Sequence, residues 1–290
     1  MLSSATFGKF KLYTIETGEF RLDGGSMFGV VPKALWSNQI AADEKNRIPM
    51  VGRCLLVESV QTDRIYLIDN GCGTKFDEKF ASIYGIDQSR QNLSHSLEFH
   101  GFNYDDITDI IFTHLHFDHC GGSTYYDDDG ELRHAFPNAR YHVTRSHWKT
   151  ATRPNAREKA SFFDHNIEPL RDSGRLHLNG EKHQFEEGFY IKTVHGHSRG
   201  QQLPVLESEY QQLIFAGDLI PTAAHVPLPW IMGFDMCARN TLEEKTEILT
   251  QAAEEEWLLF LEHDHENEMI TVEQKNDRFQ VKDVFTLNDV

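Results

Sequence analysis

Thr113-His114-Leu115-His116-Phe117-Asp118-His119 decides how the rest of this 290-residue chain is read. It follows Asp109-Ile110-Ile111-Phe112, an apolar run with the composition of a buried strand. A strand that ends in a tight loop aims His114 and His116 the same way, because side chains at i and i+2 share a face. Asp118 and His119 then turn toward a second, neighbouring point. Imidazole and carboxylate donors suit zinc and similar borderline cations, and packing four of them into so short a stretch is costly unless a cation neutralises them. The stretch predicts two adjacent metal positions.

Three further sites complete the set, in chain order. Gly196-His197-Ser198-Arg199-Gly200 follows the apolar run 189–194 and offers His197 as a third ligand of the first metal. Phe215-Ala216-Gly217-Asp218 closes the run 211–216, where a carboxylate can bridge both ions. Leu259-Phe260-Leu261-Glu262-His263-Asp264 closes the run 257–261, and His263 can complete the second metal. A single His or Asp at a strand end is usually structural. Several of them, each ending an apolar strand, read as one site.

Other β-branched, apolar runs bounded by turn residues cover 10–17, 52–60, 64–70, 107–113, 140–144 and 203–207. Helices are expected over 89–99, with Leu93 and Leu97 four apart, and over 241–256, opening on a Thr241/Glu244 capping box. Residues 157–170 also read as helix, within a helical insertion over about 145–175. A C-terminal hairpin is expected over about 269–285, turning at Lys275-Asn276-Asp277. Several strands follow one another with no helix between them, which fits two sheets packed face to face with helices outside. No repeat and no shift in composition marks a boundary, so residues 1–290 are expected to form one α/β (α+β) domain.

The chain has 28 basic against 45 acidic residues, a net charge of −17. That field repels nucleic acid and membrane surfaces, so neither is expected as a partner, and an anionic substrate gains no long-range help. The start, MLSSATFGKFKLYTIETGEF, lacks an apolar core after its lysines and reads as the first strand, so a cytoplasmic location is expected. Cys54, Cys72, Cys120 and Cys237 form no CxxC pair and read as reduced thiols, with Cys120 structural.

The His-x-His-x-Asp-His stretch and its three partners resemble the metallo-β-lactamase superfamily over nearly the whole chain. The resemblance implies a four-layer αββα sandwich with two metals at one edge of the sheets. It implies His114, His116 and His197 at the first metal, Asp118, His119 and His263 at the second, and Asp218 between them. Two divalent ions are implied, zinc foremost, with manganese, iron or cobalt as alternatives. One position departs from the pattern: Gln201 stands where the family often has a second, non-ligating histidine.

Paired cations lower the pKa of a shared water toward neutrality, so hydrolysis is the expected chemistry, with Asp118 handing a proton to the leaving alkoxide. The stretches from Leu22-Asp23-Gly24-Gly25-Ser26-Met27-Phe28 to Trp36, Leu219-Ile220-Pro221 to His225, and Pro229-Trp230 to Phe234-Asp235 resemble the branch of quorum-quenching N-acyl-homoserine lactonases and methyl-parathion-type hydrolases. That resemblance implies a lactonase for a neutral, acyl-bearing small molecule, working as a homodimer. Met27, Phe28, Trp36, Trp230 and Phe234 would line an apolar groove for the acyl chain. Some lactonases carry a substrate-binding Tyr three residues after the bridging Asp. Here Pro221 stands there, so either His225, expected at the catalytic site, or a metal alone takes that task, or the preferred substrate differs. His195 and His265 flank ligands and read as supporting or surface groups.

An organophosphate triester or aryl-ester hydrolase is the enzymatic rival, and a catalytically silent metal-dependent binding protein the rival from another class. An acidic surface argues against a nuclease. The short tail after His263 argues against glyoxalase II, and the ligand set against true β-lactamases and flavodiiron proteins.

Overall fold

The computed structural model describes residues 2–290. Its first sheet is built from β1 (Ser4–Phe7), β2 (Phe10–Asp23), β3 (Arg47–Ser59), β4 (Ile65–Ile68) and β5 (Asp109–Ile111). A small hairpin of β6 (Thr124–Tyr126) and β7 (Leu132–His134) interrupts it before β8 (Arg140–Thr144) and β9 (Leu176–Asn179). The second sheet runs in chain order through β10 (Gln184–Glu186), β11 (Phe189–Val194), β12 (Gln201–Glu207), β13 (Gln212–Phe215), β14 (Leu258–Phe260), β15 (Met269–Lys275) and β16 (Arg278–Phe285). Strands β4, β5, β8 and β9 pair in parallel, as do β13 and β14; the remaining pairs are antiparallel.

The helices are α1 (Gly24–Phe28), α2 (Lys33–Trp36), α3 (Glu78–Tyr84), α4 (Leu93–Phe99), α5 (Phe117–Cys120), α6 (Arg145–Thr152), α7 (Asp164–Asp172) and α8 (Ala238–Glu254). None is long and apolar enough to cross a membrane, among the described residues.

Alternation along each strand divides the core into layers. Leu55, Val57 and Ile111 of the first sheet face Phe189, Phe215 and Phe260 of the second. Leu56 and Ile110, one position away, face outward onto Leu97 of α4 and Leu170 of α7. Ile214 and Leu259 of the second sheet face outward onto Ile248 and Leu249 of α8. Both sheets are therefore covered on both faces, which is why their central strands read as continuous apolar runs. This is the four-layer αββα sandwich.

Local expectations fail where tertiary contacts take over. The helix expected over 157–170 is split: a 3-10 turn spans Lys159–Ser161, Phe162 and Phe163 are extended, and α7 starts at Asp164. Phe162 leaves the helical path to pack its ring 4.9 Å from His116. Thr241 and Glu244 form no capping box, because α8 already begins at Ala238. Glu244 instead accepts from the backbone N–H groups of His195 (2.7 Å) and Gly196 (2.9 Å), tying α8 to the loop that carries His197. A Cβ on Gly196 would lie 2.4 Å from the Thr241 nitrogen, so only glycine allows that approach. The C-terminal hairpin turns on Asn276 and Asp277, with φ of 51° and 58°, the left-handed pair of a two-residue turn.

Phe260 is fully buried, stacks on Phe215 at 5.4 Å, and ends the strand that leads to His263. Phe260→Ala is expected to lower unfolding free energy by about 3–5 kcal/mol. Denaturant titration checks this, and a loss under about 1 kcal/mol would show that the intersheet core is not packed as described.

Candidate metal centre

Four strand ends converge on one edge of the sandwich. The loop after β5 and the short α5 supply His114, His116, Asp118 and His119. His197 follows β11, Asp218 sits in a 3-10 turn after β13, and His263 follows β14. All seven are buried.

His114 Nε2 lies 3.0 Å from His116 Nδ1, which lies 3.2 Å from His197 Nε2. Asp218 Oδ2 approaches His197 Nε2 at 3.2 Å and His114 Nε2 at 3.9 Å. On the other side His119 Nε2 and His263 Nε2 are 3.2 Å apart, and Asp218 Oδ1 is 3.5 and 3.1 Å from them. Asp118 Oδ2 stands 3.8 and 3.9 Å from the same two nitrogens. Glu262 is also close, but its Oε2 faces the outer nitrogen, His119 Nδ1, at 3.1 Å. Asp118 is thus the carboxylate on the cavity side.

The rings face inward because each is held from behind. His197 Nδ1 donates to Asp235 (2.9 Å), His119 Nδ1 to Asp69 (3.0 Å), and His263 Nδ1 to the Val51 carbonyl (2.9 Å). His116 Nε2 faces Glu158 at 3.3 Å, and His114 Nδ1 meets the Thr113 hydroxyl at 3.0 Å. Carboxylates and carbonyls only accept, so these outer nitrogens carry the protons. In the neutral rings the inner nitrogens are bare lone pairs pointing at one another. Such an arrangement repels unless a cation sits between, and spacings of 3.0–3.2 Å are near the ~3.3 Å edge of a tetrahedron of 2.0–2.1 Å metal–nitrogen bonds. Asp218 Oδ1, buried without a hydrogen bond, points to the same conclusion. The donor set fits metal.

Charge balance agrees. Burial alone would raise Asp218, but His119, His197 and His263 outweigh it and hold the carboxyl well below the usual range. Burial alone would lower His263, but Asp218 outweighs it and pushes the ring up to about 9. His114, among other imidazoles, is driven well below its ordinary value by burial and then by His119 and His116. Protons and metal ions therefore compete for the same lone pairs.

Sequence reasoning missed the groups that aim the rings. Asp69 directly follows β4, the parallel neighbour of β5; Glu158 lies where helix was expected but precedes only a short 3-10 turn, and Asp235 lies in an irregular loop. His147 is buried, accepts from the Leu115 backbone N–H at 2.8 Å and meets the Arg199 carbonyl at 3.1 Å. It fixes the shape of the histidine loop. Gln201 is buried beside Gly217 and does not line the cavity.

The cavity over the centre measures about 200 Å³. Asp118, His116, His197, Asp218 and His263 form its floor, with Met27, Phe234 and Tyr84 among its walls. Phe28, Trp36 and Trp230 stand behind that wall: Phe28 stacks on Trp36 at 5.2 Å and edges Trp230 at 5.6 Å. His225 is also behind it. Its Nε2 meets the Met27 carbonyl (2.9 Å), its Nδ1 the Thr222 hydroxyl (2.7 Å), and its ring stacks on Phe28 at 4.6 Å. It pins the Met27 turn rather than facing the cavity. Pro221 lends only its carbonyl, to the His263 N–H at 3.2 Å. His195 accepts from the Gly200 N–H (3.2 Å) and His265 leans on Glu266 (3.5 Å), both away from the cavity.

A strand-end cluster of imidazoles and carboxylates at the edge of an αββα sandwich defines a metallohydrolase. The sequence model described as the metallo-beta-lactamase superfamily matches residues 47–268. The chain belongs to that superfamily and is a metal-dependent hydrolase. Among solved structures it is similar to a probable metal-dependent hydrolase from Staphylococcus aureus, at 27% identity and a TM-score of 0.86, over 97% of this chain and 100% of that one. It is also similar to AidC, a dizinc quorum-quenching lactonase, at 22% identity and TM-score 0.77, over 98% of each chain. An N-acyl homoserine lactone hydrolase with N-hexanoyl-L-homoserine at its catalytic metal centre matches at 21% and 0.66, over 90% of this chain and 95% of that one. No curated protein matches the chain by sequence.

Burial, and to a smaller degree the nearby Lys245 cation, lowers His225 to about 4 from an ordinary 6.5. A depressed histidine pKa adds stability that is complete above pH 6.5 and is lost as pH falls through about 4. Between those values it should contribute roughly 1 kcal/mol of lost stability per pH unit. His225→Gln, which can still donate to Met27, should flatten the acid limb by one proton in denaturant titrations. An unchanged slope would assign that proton elsewhere.

Proposed function

We propose that the protein is a dinuclear-metal hydrolase that opens lactones, or closely related esters, carrying an acyl chain. His114, His116 and His197 would hold one cation and Asp118, His119 and His263 a second, with Asp218 placed to serve both. The observation that carries this reading is Asp218 itself, with Oδ2 turned to one histidine group and Oδ1 to the other. One carboxylate serving two lone-pair clusters is the geometry of a bridge. Imidazole and carboxylate donors suit zinc, and the dizinc lactonase likeness supports it over manganese, iron or cobalt. Two such cations would supply a water ionised near neutral pH and a Lewis acid for the substrate oxygen.

The chain's own groups do the rest. Asp118 borders the cavity and is placed to pass a proton to the departing alkoxide. Tyr84 takes the task that Pro221 cannot: burial first, and then the negative Asp118, raise its phenol, so it remains a hydrogen-bond donor at the cavity wall. It orients the substrate carbonyl. Leu22, Met27, Met50, Met232 and Phe234 make the apolar wall for an acyl chain, with methionines that adapt to its shape. The likeness to two lactonases, one with a ring-opened acyl-homoserine at its metal centre, supports the ester class.

His116→Ala and Asp218→Ala should each remove activity and metal together, read by elemental analysis beside a panel of lactones, aryl esters and phosphotriesters. Full metal content in either variant would refute the ligand assignment. Phosphotriesters turned over far faster than any lactone would refute the substrate class.

Tyr84→Phe should keep its metal and lose on the order of tenfold in kcat/KM for lactones. An unaltered kcat/KM would remove Tyr84 from the site.

A further inference from the structure

Residues 145–159 carry Arg145, Lys149, Arg153, Arg157 and Lys159 against a single carboxylate, Glu158, in a chain of net charge −17. Glu158 is buried against His116 and Ser198 and closes no ion pair with these cations, although its carboxylate lies in the groove wall. Lys149 and Arg153 line an open groove of about 790 Å³ together with Arg199 and His195. None of the three long cations closes an ion pair among the described residues, and the exposed rim carboxylate, Glu181, leans on His195 at 4.0 Å. Glu158 and Met236 line both this groove and the metal cavity, so the two spaces adjoin.

Size gives the groove a task. At about 200 Å³ the metal cavity falls below the ~300–1,000 Å³ usual for a pocket enclosing an organic ligand. It can take the reacting ring or ester, and a longer substrate must leave it. The groove across Met236 and Glu158 is adjoining space, where the three long cations Lys149, Arg153 and Arg199 outnumber the two carboxylates Glu158 and Glu181. Unpaired cations around one groove repel each other, and an oxyanion seated among them removes that repulsion. Two guanidinium forks suit the paired oxygens of such a group.

We infer that this groove is a subsite for an oxyanion, a carboxylate or a phosphate, at the far end of the substrate's acyl part. The inference rests on hydrolysis at the metal centre but concerns the other end of the molecule. It also reverses the expectation of a wholly neutral substrate: the chain's overall field is negative, yet this wall is locally positive.

The test measures binding and turnover separately on metal-loaded protein. Amide analogues of one chain length, ending in methyl, carboxylate, phosphate or trimethylammonium, are titrated by calorimetry. The matching lactones and aryl esters give KM. The carboxylate or phosphate end should tighten binding and lower KM on the order of tenfold relative to methyl, with the gain fading as salt rises. The stronger of the two anions identifies the group. A Lys149→Gln/Arg153→Gln/Arg199→Gln variant should lose that gain while its affinity for the methyl-ended analogue stays within about twofold. Equal affinities for all four ends, or a preference that survives the triple variant, overturns the subsite. Anionic aryl esters preferred while lactones stay intact would keep the subsite and reject the lactone reading. Neutral lactones opened with no end-group preference would do the reverse.

Discussion

Five imidazoles and two carboxylates are buried with their lone pairs turned toward one another, and the rest of the molecule is arranged to keep them so. Left to themselves these groups would swing apart or take up protons, since bare nitrogens 3.0–3.2 Å apart repel. Each ring is denied that freedom by an acceptor behind it: Thr113, Glu158, Asp69, Asp235 and the Val51 carbonyl. The rings come from strand ends of both sheets, and their acceptors from the first sheet, the insertion and the loop before α8. The centre therefore exists only when the two halves of the sandwich are packed, and metal binding and folding are coupled.

That coupling explains what could be read from the residues alone. The clustered donors were legible because each follows an apolar strand, and a polar donor at the end of such a run is conspicuous. The strands were legible because the sandwich buries both faces of its central β3, β5, β13 and β14. The outer acceptors were not, because Glu158 lies 42 residues from His116 in sequence, and such pairs leave no local period. His225 shows the opposite error. A histidine near a metal loop reads as chemistry, whereas here both nitrogens are occupied by structure and the ring stacks on Phe28. Glu244 misled in the same way: its spacing from Thr241 fits a cap, and a backbone loop in another layer claimed it instead.

The loops around the centre pose a separate problem, because irregular backbone near a core leaves carbonyls without partners. The chain answers with single buried cations. Lys245 of α8 donates to the carbonyls of His225 (2.6 Å), Pro227 (3.1 Å) and Trp230 (2.9 Å), gathering the loop that bears Met232 and Phe234. Arg53 of β3 gathers the carbonyls of Leu261, Asp264 and Asn267 at 2.8, 2.7 and 3.0 Å, on either side of His263. Lys75 does the same for Gly121 and Thr124, just after the histidine motif.

These clamps have an electrostatic consequence. Burial lowers Lys245 to about 7 and Lys75 to about 8, so each is near the point of giving up its charge. An uncharged amine still donates two hydrogen bonds, so the loops stay tethered when the charge is lost, with one bond fewer at Lys245 and none fewer at Lys75. The cost of a buried cation is thus limited, and its geometric benefit is largely retained. Arg53 cannot escape in this way because a guanidinium stays charged. It sits instead where Glu16, Glu268 and Asp264 offset its burial. The wall beside His263 is held by a permanent cation matched with carboxylates, and the wall beside Phe234 by a lysine that keeps two of its bonds even when neutral.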